Sequence, residues 1–173
     1  MSNNSAVIGI SYVESIPREL IDPFLNEVSH DRIEIIEEPR PDAMLFASIE
    51  WFVPTAVFLY LSKGYFDGFL QAAGEDHYEL LKKTIPQWFT RLSQIRVTYL
   101  ASAKIKLQAD NPFTGAISLL GEGKANSFKL MFRHEPNEDE IAQSISAFLD
   151  FLRHLHSGSP PSDFIADFAP SER

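Results

Sequence analysis

Apolar positions recur along this chain with several spacings, and each spacing predicts a different element. Ala6 to Val13, AVIGISYV, is a β-branched apolar run that predicts a buried strand. The following SIPRELIDPFLNEV predicts a helix, with Ser15 as its cap and Pro17 in the first turn, where a missing N–H costs nothing. Leu20, Phe24 and Val28 recur every fourth residue and give it an apolar face. Pro23 is expected to kink it or restart it after Asp22. DRIEIIEEP alternates at Ile33 and Ile35 and predicts a second strand ending at Pro39. Strand, helix and strand in that order predict a crossover unit with two parallel strands.

A long helical block is expected from Pro41 to about Ser93, divided by Pro54, Gly64, Gly74 and Pro86. In its last part Tyr78, Leu81, Ile85, Trp88, Leu92 and Ile95 alternate steps of three and four, the seam of a helix packed on a partner. Pro86 either kinks that helix, or Thr84 caps a new one in the same phase. Residues 95–108 fit strand or helix; Val97, Tyr99 and Ala101, then Ile105 and Leu107, lean to strand. GAISLLGEGKANSFKLMFRH predicts a hairpin turning from Gly121 to Asn126. Phe128, Leu130 and Phe132 then point one way, and Lys129, Met131 and Arg133 the other.

The last helix carries the fullest set of signals. Asn137 is its N-cap, Glu140 completes a capping box, and Glu138 and Asp139 add charge that the helix dipole favours. Ile141, Ile145, Phe148, Leu152 and Leu155 form the buried stripe, and Ser157-Gly158 ends it. The chain therefore reads as one α+β domain over residues 1–156. Its sheet is mixed, with four or five strands, a central helical block, and the C-terminal helix packed on it. Residues 157–173 form a tail rich in Pro and Ser, and acidic.

Composition narrows the function classes. The 173 residues, 45% apolar with 14 phenylalanines, suffice for a dense core without staples. There is no cysteine, which excludes disulfides, thiolate metal sites and cysteine nucleophiles, and fits the cytoplasm. Acids outnumber bases 24 to 15, and no dense Lys/Arg cluster occurs, so nucleic-acid binding is not expected. The N-terminus lacks the charged and apolar regions of a signal peptide. Ala43 to Ser62 carries one charge, Glu50, and is long enough for a membrane span. Glu50 and Pro54 near its middle disfavour that use, since a central acid costs about 3 kcal/mol.

Candidate chemistry centres on Tyr65 to Lys83, YFDGFLQAAGEDHYELLKK. Two helices and a joint account for its residue types. Gly74 would end the first in a left-handed conformation, Glu75 or Asp76 would cap the second, and His77 would lie on the surface. The functional reading joins Asp67, Asp76 and His77 as an acid/histidine site. A metal would need a third ligand from His30, His134 or Glu50, and no helical His-x-x-x-His pair exists. His154 and His156 fall on different helix faces. No phosphate loop, nucleophile elbow or calcium loop is present, and the residues assign neither metal nor cofactor. Glu50, beside Trp51 amid apolar neighbours, completes the candidates.

The reading that follows is a small soluble interaction or regulatory module. It would meet a protein partner, or a second copy, through the apolar 43–70 region. DFIADF in the tail would be a second docking element. The alternatives are a membrane-associated component inserting 43–62, and a ligand-binding protein or enzyme using Glu50, Asp67, Asp76 and His77.

Overall fold

The computed structural model describes residues 5–41, 56–93, 113–133 and 136–158. Strand β1 (Ala6–Val13) leads through helix α1 (Arg18–Val28) to β2 (Ile33–Arg40), which pairs parallel to it as a crossover requires. Strand β3 (Val57–Leu61) begins a second unit. It passes through a π turn (Tyr65–Phe69), α2 (Leu70–Ala73) and α3 (Glu75–Ser93) to a parallel β4 (Phe113–Glu122). Strand β5 (Ser127–Arg133) folds back on β4, and α4 (Glu138–Ser157) follows. The two crossover units join where β1 and β3 pair antiparallel, giving a mixed five-stranded sheet in the order β2-β1-β3-β4-β5. This is the α+β architecture expected, with the C-terminal helix on the sheet.

Alternation along the strands sets the layers. Ile8 and Ile10, Leu59 and Leu61, and Ile117 and Leu119 are all buried on one face. They meet the stripes of the helices: Ile21, Phe24 and Val28 of α1, the predicted seam of α3 from Tyr78 to Leu92, and Ile141, Ile145, Phe148 and Leu152 of α4. Each large side chain moved from water into this layer contributes roughly 1.5–3 kcal/mol. On the opposite face Phe58, Tyr60, Leu120 and Met131 are half-buried, and Ser118 is fully buried.

Several expectations change. Val57 to Leu61 is a strand at the centre of the sheet, not part of a helical block. VFLYL is apolar throughout, so its period of two becomes visible only as alternating burial. A single helix over 43–62 is thereby ruled out, and among the described residues no helix is long and apolar enough to cross a membrane. The candidates Glu50, His134 and the tail motif, and the ambiguous 95–108 stretch, lie outside the described residues.

Local signals also resolve differently. Ser15 lies in a turn, and the N-cap of α1 is Pro17, two residues later than expected. Helix α1 runs through Pro23, whose missing N–H falls on the exposed side. Helix α3 likewise runs through Pro86, and Thr84 donates to Glu27 of α1 at 3.1 Å instead of capping. Gly74 is not left-handed (φ −97°). Its role is space, since a Cβ there would lie 2.6 Å from Leu70 Cα and 2.9 Å from the Phe69 ring. Its carbonyl accepts the Tyr78 N–H at 2.8 Å, so neither Glu75 nor Asp76 is the cap of α3. Gly121 and Glu122 belong to β4, and the hairpin turn closes with Gly123 N–H on the Asn126 carbonyl at 2.7 Å. The capping box at Asn137 and Glu140 forms as predicted, with bonds of 2.9 and 3.1 Å.

Candidate functional site

The π turn projects its residues toward three different elements. Tyr65, Phe66 and Phe69 are buried among the helices, whereas the Asp67 side chain keeps about a fifth of its surface in water. Such single π turns occur often at functional sites. Here the turn supplies one partner to each of two buried histidines.

His77 is not the surface residue expected; it is 7% exposed. Val28 ends α1 with a carbonyl that has no partner within the helix, and His77 Nε2–H donates to it at 2.8 Å. That fixes the tautomer. Nδ1 is then an acceptor, and the Tyr65 hydroxyl donates to it at 3.0 Å. Burial pushes His77 below the ordinary histidine range, outweighing the bond to Val28, and the neighbouring His30 adds to the effect. Burial likewise raises the Tyr65 hydroxyl. The result is a neutral, fully bonded imidazole ringed by Phe69, Tyr65 and His30.

Asp67 turns elsewhere. Its Oδ1 lies 2.5 Å from Nδ1 of His156, in the last turn of α4. Nε2 of His156 donates to the Glu122 carbonyl at the end of β4, at 2.7 Å. The ring stacks on Phe66 with centroids 5.1 Å apart, and its side chain is 1% exposed. Lys63 stands 3.9 Å from the outer Asp67 oxygen, and its N–H donates to the Glu122 carboxylate at 2.7 Å.

The predicted constellation is therefore split. Asp67 and His77 have separate partners, and Asp76 is exposed in the first turn of α3. The residue missed was His156. Ile145, Leu149, Leu152 and His156 follow steps of four, three and four, and all are buried. That spacing places His156 on the inner stripe.

Two further polar clusters tie elements together. Tyr78 donates to Asp150 at 2.6 Å, and Lys82 reaches both oxygens of that carboxylate, joining α3 to α4. Burial alone would raise Asp150, but the bonds from Tyr78 and Lys82 hold it below the usual carboxylate value. Arg153 adds a two-pronged bridge to Glu75. At the other end of the sheet Tyr12 donates to Glu37 at 2.5 Å, and Arg18 bonds both. A groove of about 40 Å³ between α1 and α3 is lined by Phe24, Trp88 and Glu27 and is too small for a substrate. Among the described residues no three His, Asp or Glu side chains gather as a metal site.

The polar groups described above are engaged with one another, and the comparisons add no relative: the chain matches no protein-family model, no curated protein and no solved structure.

Proposed function

We propose that this chain is a small soluble interaction or regulatory module of the cytoplasm, which works by binding a protein partner. The observation that carries this reading is a lateral row on the sheet face away from the described helices. The strand register aligns Ile36, Gly9, Tyr60, Leu120 and Lys129 across all five strands. Gly9 makes room for its neighbour, since a Cβ there would lie 3.2 Å from the Tyr60 ring. The ring covers the glycine and carries the apolar strip toward Ile36, which is 49% exposed on the edge strand. Tyr60 belongs to the apolar 43–70 region, whereas Val57, Leu59, Leu61, Tyr65 and Phe66 of that region are spent in the core.

Charge selects the partner. Glu34 and Glu38 flank Ile36 on the same face and are exposed. At the Ile36 edge an apolar side chain flanked by lysine or arginine fits, whereas Lys129 gives the opposite edge a positive charge. The two buried histidines support binding over catalysis, because His77 and His156 each have both ring nitrogens engaged within the fold.

The test is a photo-cross-linker placed at Ile36 in the full-length protein in cells. A discrete adduct with another protein is expected, lost at high salt and lost with Glu34→Lys plus Glu38→Lys. An adduct of the chain with itself would replace the partner by a second copy. Absence of any salt-sensitive adduct would overturn the binding reading.

A further inference from the structure

We propose that the outer edge of β2 takes a basic, extended segment of the partner as a further antiparallel strand. The inference rests on the reading that a partner docks at Ile36, and it specifies how. β2 ends the sheet and pairs with β1 on one side only. The Glu14 N–H donates to the Arg40 carbonyl at 2.8 Å, so Arg40 turns its backbone groups toward β1. Those directions alternate along a strand. Glu34, Ile36 and Glu38 therefore also turn inward, and Ile33, Ile35, Glu37 and Pro39 turn outward.

The outward groups make a short, bounded ladder. At one end the Ile33 N–H is taken by the His30 carbonyl at 2.9 Å. At the other end Pro39 has no N–H to give. Between them the N–H groups of Ile35 and Glu37 have no acceptor among the described residues. An added antiparallel strand would bond both residues, each through a reciprocal pair. Such an edge is a template for another chain: main-chain bonds supply affinity, and side chains select the sequence.

Charge does the selecting. The register puts Glu34, Ile36 and Glu38 beside Val7, Gly9 and Ser11 on the open face, and both glutamates are exposed. Glu37 lies on the helix side, and its carboxylate is spent on Tyr12 and Arg18. An incoming strand centred on Ile36 thus meets acid, isoleucine and acid, and fits with basic, apolar and basic residues at alternate positions. A second copy of β2 fits badly, because antiparallel pairing about Ile36 would set Glu34 against Glu38 on both sides.

The test adds the blocked peptide Ser-Lys-Thr-Val-Val-Lys-Ser to the full-length protein. Saturable binding is expected. Amide exchange should slow at Ile35 and Glu37 and stay unchanged at Ile36 and Glu38, which β1 already protects. N-methylation of both residues flanking the central valine should abolish binding, whereas N-methylation of that valine, whose N–H points away, should not. Glu34→Lys plus Glu38→Lys should weaken binding by at least about tenfold. No saturable binding, protection that does not alternate, or equal binding by the double variant overturns strand addition. So does binding indifferent to the flanking N-methyl groups, which would mean docking by side chains alone. A cellular adduct at Ile36 together with any of these results would keep the partner and remove this mode of binding. Should the double variant not fold, the peptide arms on the wild-type protein decide alone.

Discussion

His77 and His156 are both buried, both flanked by aromatic rings, and both bonded through each nitrogen, yet their partners differ in charge. His77 meets one acceptor and one hydroxyl, which a neutral ring satisfies. His156 meets a carboxylate and a backbone carbonyl. The contrast shows that two equally buried rings can serve different ends, one tying together neutral groups and the other holding a charged one. Because His77 lies below its ordinary range when folded, the unfolded chain takes up that proton first, and its contribution is lost as pH falls.

Substitutions can break this comparison. His156→Phe keeps the stack on Phe66 but strands Asp67 and the Glu122 carbonyl, and should cost about 3 kcal/mol in urea unfolding, as for other broken buried pairs. His77→Phe strands only neutral groups, the Val28 carbonyl and the Tyr65 hydroxyl, and should cost about 2 kcal/mol. Equal costs, or the reverse order, would mean that stranding a carboxylate is no worse here than stranding a hydroxyl. At the other end of α4, Asn137→Ala removes one cap bond and should cost about 1 kcal/mol, which calibrates the scale. The smallest effect is on the acid side. The urea midpoint should fall between about pH 7 and about pH 5, and the fall should be smaller in His77→Phe. Asp150 and Glu37, both held low by their partners, lose stability over the more acidic part of the range in both proteins. Only the difference between the two curves therefore belongs to His77, and superimposable curves would remove its assigned role.

What could be read from the sequence was what neighbouring residues decide. The capping box, the stripe of α4, the hairpin and the first crossover each rest on residues within a few positions of one another, and each forms. The seam of α3 formed too, although Pro86 lies inside it. The failures are of another kind. The β3 strand hides its period in an unbroken apolar run. Gly74 is small to admit a backbone approach, which no local pattern reveals. The candidate site failed for the same reason: Asp67 lies 89 residues from His156, and His77 lies 49 from Val28. Sequence neighbours such as Asp76 and His77 suggested a pair, but the fold gave each a different surrounding.

The strand order has a consequence in time. β3 is the middle strand, and both of its ladders join distant parts of the chain. Along one edge Val7 bonds Ser62, 55 residues away; along the other, Lys63 bonds Glu122, 59 residues away. Such pairings demand long loop closures before they return any free energy, which slows folding. During synthesis β1 can rest on α1 and β2, but it waits for β3, and β3 waits for β4. The His156 contact can close only after all of these. The protein should therefore emerge as a half-sheet with an open edge and become a single cooperative unit only when its last helix arrives.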